Sequence, residues 1–190
     1  YSGIAISMER FNKIIEIDEK NFQVTTEPGV ITQVLREAVS EKGLFYPVDP
    51  SSMGSCWIGG NIAENSGGAR ALKYGVTKDY VLNLEVVLPT GDIIWTGANT
   101  LKNSTGYNLT QLLVGSEGTL GIVTAAVLRL YRKPLAYVTA MVGLRQLEDA
   151  LPLLNRLQNE TGGGVEAFEF MPRRYIERHI ERIPSAEEPF

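Results

Sequence analysis

The sequence predicts an α+β fold, with mixed or antiparallel sheets and helices packed against them, and three observations predict it. A polar turn, Asp18-Glu-Lys-Asn21, separates two short runs rich in β-branched and apolar residues. Apolar residues then recur every three or four positions from Ile31 to Val39, the spacing of a one-faced helix. Further on, an alternating run from Val81 to Leu88 and a long apolar run from Ile122 to Tyr131 read as sheet strands. The 190 residues suffice for one ordinary domain, or for one and part of a second.

The elements follow in order. Gly3 to Ser7 is short and apolar and reads as a strand. Lys13 to Ile17 and Phe22 to Thr26 flank the polar turn as a hairpin. Pro28-Gly29 introduces a helix whose apolar stripe is Ile31, Val34, Leu35, Ala38 and Val39. Lys42 suits its last turn and Gly43 its cap. From Phe45 to Lys78 periodicity vanishes, and so long an irregular stretch is usually functional or disordered. The interleaved Trp57, Ile58, Ile62 and Leu72 argue for order.

Regular structure returns at Val81 to Leu88, with Leu82, Leu84, Val86 and Leu88 on one face and Asn83 and Glu85 on the other. Pro89 to Asp92 is a turn, and Ile93 to Trp95 a second strand. A short helix over Asn108 to Val114 and the glycine-rich loop Gly115 to Gly121 lead into the strand from Ile122. Pro134 marks a boundary. Beyond it come a strand (Ala136 to Val142), a helix that Pro152 kinks or restarts, a strand (Val165 to Phe170) and a charged helix (Arg173 to Ile183).

Composition narrows the function. Hydrophobic residues make up 44% and charged residues 21%, the balance of a globular chain able to bury a core. A net charge of −4 offers no basic field for nucleic acid or anionic lipid. The single cysteine, Cys56, excludes a disulfide framework within the chain. No apolar run reaches membrane-spanning length.

Two segments call for chemistry: Pro47 to Gly68 and Gly115 to Val123. Both place backbone N–H groups among small residues, as anion-binding nests do. A short helix entered at Ile58-Gly-Gly60 would add its first N–H groups and its dipole. A side chain at Gly59 or Gly60 would hold a phosphate or a flat ring away from the backbone. No lysine stands where a P-loop needs one, and no G-x-G-x-x-G joins a strand to a helix. By composition alone, glycines that merely shape turns and glycines that hold a phosphate are evenly matched.

The residues themselves decide between them. Pro50-Ser-Ser-Met-Gly-Ser-Cys56, Ile58-Gly-Gly-Asn-Ile-Ala-Glu-Asn-Ser-Gly-Gly68, Tyr74-Gly-Val-Thr77, Glu85-Val-Val-Leu-Pro-Thr-Gly91 and Gly115-Ser-Glu-Gly-Thr-Leu-Gly-Ile-Val123 together resemble the FAD-linked D-2-hydroxyacid dehydrogenases. That family includes D-lactate dehydrogenase, D-2-hydroxyglutarate dehydrogenase and the flavoprotein subunit of glycolate oxidase, within the vanillyl-alcohol-oxidase-like superfamily. The similarity runs from about Ile4 to Pro134, and Glu166 to Met171 resembles the start of the family's substrate domain.

The resemblance implies a two-lobed FAD-binding domain over residues 1–133 and the beginning of a substrate, or cap, domain over 134–190. It implies non-covalent FAD. Pro50, Ser51, Ser52, Met53, Gly54, Ser55 and Cys56 would follow its pyrophosphate and flavin. Gly59 and Gly60, then Ala63, Glu64, Asn65 and Ser66, would contact it again. Glu117, Gly118, Gly121, Ile122 and Val123 would hold the adenine half, with the backbone of Ile122 or Val123 against the base. It implies oxidation of a small D-2-hydroxy acid by hydride transfer to FAD, with electrons leaving to a carrier or quinone and with room for partner subunits. The expected location is cytoplasmic, with peripheral membrane attachment compatible with a quinone acceptor.

The chain is expected to be a fragment, inactive by itself: the family places another glycine-rich loop before Gly3 and, beyond Met171, the catalytic residues and in many members a divalent metal. Catalytic residues are therefore unassigned. Two other readings stay open, a same-fold flavoenzyme of alkyl-glycerone-phosphate synthase type and a non-catalytic accessory subunit. His179 reads as a helix-surface residue, Cys56 as a small buried residue, and Arg173 and Arg174 as a solvated face.

Overall fold

Asp18 folds the hairpin that its polar neighbours announce. In the computed structural model, which describes residues 3–183 and 185–188, its carboxylate accepts the side-chain N–H of Asn21 and the backbone N–H groups of Lys20 and Asn21. Those bonds favour the charged form and hold the carboxyl below its ordinary range. The flanking strands, β1 (Ile14–Asp18) and β2 (Gln23–Thr26), pair antiparallel. A two-residue strand β3 (Leu44–Phe45) precedes the irregular stretch. β4 (Val81–Val87), β5 (Ile93–Trp95) and β6 (Ile122–Arg129) complete a five-stranded sheet of order β1-β2-β6-β4-β5, in which every pair is antiparallel. The apolar run from Ile122 outlasts that sheet: after Leu130 it becomes β7 (Tyr131–Arg132), which pairs with β3 in a separate small sheet.

Helix α1 (Thr32–Glu41) lies where the periodicity puts it. Its buried positions are Thr32, Leu35 and Val39, whereas Val34 is 50% exposed, so the buried stripe is narrower than the apolar one. Leu35 and Val39 join Val24 of β2, Leu84 and Val86 of β4, and Leu128 of β6 in one core, each with no exposed surface. Each such side chain contributes roughly 1.5–3 kcal/mol through its burial.

The alternation of burial in β4 breaks at one point. Asn83, on the face opposite Leu84 and Val86, is only 6% exposed. A bulge sets Val81 opposite Leu128 and Asn83 opposite Val127, so two steps on β4 answer one on β6. The buried amide is satisfied: its oxygen accepts the N–H of Gly97 at 2.7 Å and its nitrogen donates to Asn99.

Three predicted strands do not form. Residues 3–7, 136–142 and 165–170 have strand-like composition but no pairing partner. Ile4, Tyr137 and Val138 accordingly stand 94%, 75% and 95% exposed. Among the described residues beyond Pro134 the helices are α5 (Ala150–Glu160) and α6 (Arg173–Arg182). A 3-10 turn at Leu147–Asp149 leads into α5, and Pro152 sits in its first turn, where its missing N–H has no helical partner to lose. Among the described residues no helix is long and apolar enough to cross a membrane.

Candidate functional site

The first N–H groups of α1 reach into the irregular segment. Ile31, which precedes the helix, provides no side-chain cap. The N–H of Thr32 instead donates to the Cys56 carbonyl at 3.0 Å, and that of Gln33 to the Met53 carbonyl at 2.9 Å. The orphan donors of the helix thereby fix the carbonyls of residues 50–56. Within the segment the N–H of Met53 returns to Pro50, and those of Ser55 and Cys56 to Ser52, giving successive tight turns. Side chains hold it from below. Thr32 Oγ1 lies 3.2 Å from both the carbonyl oxygen and the sulfur of Cys56, and the Asn61 amide donates to Thr32 Oγ1 at 2.6 Å. Arg36 donates to the Val48 carbonyl and to the Met53 sulfur. Burial lowers the Arg36 pKa from its ordinary value, with Asp49 pulling the other way.

Above these anchors Ser51, Ser52, Met53, Gly54 and Ser55 are exposed and Cys56 is half-buried. The N–H groups of Ser51, Ser52 and Gly54 find no acceptor among the described residues. The segment is therefore fastened to α1 on one side and keeps three backbone N–H groups without a partner among the described residues.

Helix α2 (Ile58–Glu64) leaves this segment, anchored by Ile58 and Ile62 with no exposed surface. Its first N–H groups do not reach outward as expected. Ile58 donates to the Val30 carbonyl and Gly59 to that of Pro28 at 2.7 Å. A Cβ on Gly59 would stand 2.6 Å from the Pro28 Cβ, so glycine at 59 lets the helix pack closely against Pro28. Gly60 is the reverse case. It is exposed, a Cβ there would meet nothing, and its N–H has no acceptor among the described residues.

The C-terminal end of α2 is where the second glycine-rich loop arrives. Asn65 takes a left-handed conformation (φ 52, ψ 48), and its side-chain oxygen accepts the N–H of Lys78. Ser66 accepts from Thr77, both from its N–H and from its hydroxyl. Two short elements frame this end, α3 (Ala71–Tyr74) and α4 (Leu109–Leu113), the latter capped by Asn108. The carbonyls of Ile62 and Ala63 accept the N–H groups of Gly115 and Glu117, each at 2.9 Å. Residues 63–66 and 115–118 are thus one structure, although some fifty residues of chain separate them. Glu64, Glu117 and Gly118 are exposed there. Gly121 lies close against Val86 as β6 begins. Ile122 and Val123 pair with Val87 and Val86 of β4, while β2 pairs only with residues 126–129. The other edge of 122–125 is consequently free of any strand.

Segments 50–56 and 115–123 stand at opposite ends of α2, whose seven residues span about 10 Å.

Other candidates fall elsewhere. His179 is exposed on α6 with its ring stacked on Tyr175, and Arg173 pairs with Glu177 and Glu188 at the surface. Among the described residues no group of three His, Cys, Asp or Glu is arranged to hold a metal. The sequence reading overlooked Thr32, Arg36 and Asn61, the anchors beneath the segment. One signal was available for Thr32: it lies on the stripe of Leu35 and Val39, a polar residue at a core position. It also overlooked Tyr46, whose hydroxyl is fully buried without a hydrogen-bond partner among the described residues and whose pKa burial pushes up.

The family described as FAD binding domain matches residues 1–97. A glycolate oxidase subunit GlcD of Bacillus subtilis is 60% identical over 132 residues, 70% of this chain and 28% of that protein. A D-2-hydroxyglutarate dehydrogenase of Stutzerimonas stutzeri is 36% identical over 179 residues, 94% of this chain and 38% of that protein. Among solved structures, an alkyldihydroxyacetonephosphate synthase superposes with a TM-score of 0.59 at 32% identity, over 68% of this chain and 23% of its own. The chain therefore spans well under half the length of the relatives it matches.

Proposed function

The chain belongs to the FAD binding domain family, and from that premise we propose that it supplies the cofactor cradle of a flavin-dependent oxidoreductase acting on a D-2-hydroxy acid of lactate, glycolate or 2-hydroxyglutarate type. One observation carries the reading: segment 50–56 leads into the start of α2 and loop 115–118 bonds to its C-terminal end, an arrangement that supports one extended site built from both glycine-rich segments. The resemblance of the hydroxy acid enzymes, and the similarity to proteins named glycolate oxidase subunit and D-2-hydroxyglutarate dehydrogenase, support the substrate class.

In this reading the chain binds and orients. The free N–H groups of Ser51, Ser52 and Gly54 take the pyrophosphate, with Pro50, Met53, Ser55 and Cys56 shaping the path. Gly60 leaves room at the start of α2. Ala63 to Ser66 line the middle, and Glu117, Gly118, Gly121, Ile122 and Val123 hold the adenine half against the free edge of β6. Bound FAD would accept the α-hydrogen as hydride and pass electrons to a carrier or quinone. The base that takes the hydroxyl proton, and a divalent metal where one serves, we assign to a cap beyond these residues. We place the start of that cap at 134, because the core residues run to Leu130 and beyond it only Ala150 among the described hydrophobic residues is buried.

The similarity to an alkyldihydroxyacetonephosphate synthase favours one second reading, the same cradle serving another substrate. The purified full-length protein tests both. Flavin absorption bleached anaerobically by D-lactate, glycolate or D-2-hydroxyglutarate is the expected result. A flavin that none of these acids reduces favours the second reading, and a colourless protein that releases no FAD on denaturation overturns both.

A further inference from the structure

Glu166 lies in a stretch with neither helix nor strand, yet its side chain is only 21% exposed. Its carboxylate accepts the Tyr74 hydroxyl at 2.9 Å and stands 3.7 Å from Arg70 Nε and 3.6 Å from Lys73 Nζ. Arg70 caps α3, and Lys73 and Tyr74 end it, so one short element turns three donors toward a carboxylate from 92 residues further along the chain. Burial, and then the bond to Glu166, raise the Tyr74 pKa, as expected of a phenol that donates to a carboxylate.

Arg70 has a second carboxylate. Its Nε is 3.3 Å from Asp49 Oδ2, its backbone N–H donates to Asp49 Oδ1, and its guanidinium lies over the Phe45 ring at 5.2 Å. Asp49 directly precedes Pro50, which leads into the exposed residues 51–55. Glu166, Arg70 and Asp49 therefore form a continuous line from the C-terminal segment to the segment proposed to carry the pyrophosphate.

We propose that Glu166 is a positioning residue: through Arg70 and Asp49 it couples docking of residues 164–171 to occupation of the cofactor segment. The proposal rests on the FAD reading above. A ligand that orders residues 50–56 also orders Asp49, which presents Arg70 to Glu166. By reciprocity, whatever the cofactor adds to docking, docking adds to cofactor affinity.

The test uses full-length protein with FAD removed and restored. In the wild type, FAD slows amide hydrogen exchange over 164–171, and in Glu166→Gln it does not. Glu166→Gln raises the FAD dissociation constant by about fivefold or more, the lower end of ordinary coupling between sites. Glu166→Asp, which keeps the charge on a shorter arm, recovers part of both effects. A carboxylate with only a local structural role would change exchange over 164–171 equally with and without FAD. Equal FAD-dependent protection in wild type and Glu166→Gln, or unchanged FAD affinity, overturns the coupling and leaves the FAD reading standing. Failure of Glu166→Gln to fold moves the comparison to Glu166→Asp, where unaltered protection and affinity likewise overturn it. Wild-type protein that binds no FAD overturns the functional reading and the coupling together.

Discussion

At Gly59 and Gly68, in the first glycine-rich segment, an added Cβ would strike protein atoms: the Pro28 Cβ at 2.6 Å in one case and the Asp49 carbonyl oxygen at 2.2 Å in the other. At Gly118, in the second, it would meet nothing within 4 Å, but the backbone sits at φ +73. The first segment uses glycine to bring two stretches of its own chain together. The second uses it to turn at 115 and 118 and, at 121, to lie close against Val86. Neither use requires a ligand, which is why glycine content by itself left the function undecided. Gly60 differs from all three, being helical, exposed and unobstructed. The comparison thus separates glycines that pack or turn from a helical glycine that neither role explains.

Gly68→Ala should bring the largest change. The clash falls on the backbone and side chain of Asp49, neither of them a flexible tip, so the segment must move. Overpacking of this kind costs about 3 kcal/mol. Because Asp49 also holds Arg70, the shift should disturb Pro50 and its neighbours. Denaturation of the full-length variant measures the loss, and hydrogen exchange over 47–56 locates it. An unchanged midpoint would mean that close approach is not what glycine at 68 provides.

How much of this was legible depends on what each residue type can announce. The hairpin and α1 were readable because their signals are local: Asp18 and its neighbours form the turn, and the helical period exposes itself within one element. A strand is different, since its pattern requires a partner that the pattern does not name. Residues 3–7, 136–142 and 165–170 have the composition of strands and find no sheet edge. The burial of Asn83 was hidden for a related reason: it faces away from Leu84, as the alternation has it, but Gly97 and Asn99 cover it, and nothing within Val81 to Leu88 marks them. The candidate site was legible as an ordered set of motifs but not as geometry. A glycine has no side chain by which to declare what occupies its space, so the packing role of Gly59 and the freedom of Gly60 emerge only once Pro28 is in place. The latch on Glu166 was hidden in the same way, because Arg70, Lys73 and Tyr74 turn toward a residue far along the chain.

Gly118→Ala should be milder. Open space removes any clash, leaving the cost of a left-handed backbone in a residue with a Cβ, about 1 kcal/mol. Gly118→Asn should recover part of that loss, because asparagine tolerates the conformation better. The contrast with Gly68→Ala is diagnostic: an asparagine that rescues identifies a conformational requirement, and one that worsens the loss identifies a steric requirement. Thermal denaturation of the two variants side by side distinguishes them.

Gly60→Ala should have the smallest effect on stability, and of opposite sign. Alanine inside a helix is favoured over glycine by roughly 0.5–1 kcal/mol, and at 60 the methyl group meets no protein atom. The protein stripped of FAD should therefore be slightly more stable than wild type. If Gly60 marks the open side of the cradle, that methyl group occupies space the cofactor needs, and FAD affinity should fall while apoprotein stability rises. Opposite movement of two quantities after one substitution is hard to attribute to general damage. A rise in both, or FAD affinity unchanged, would move the cofactor away from the start of α2 and leave Gly60 as a glycine the fold does not require.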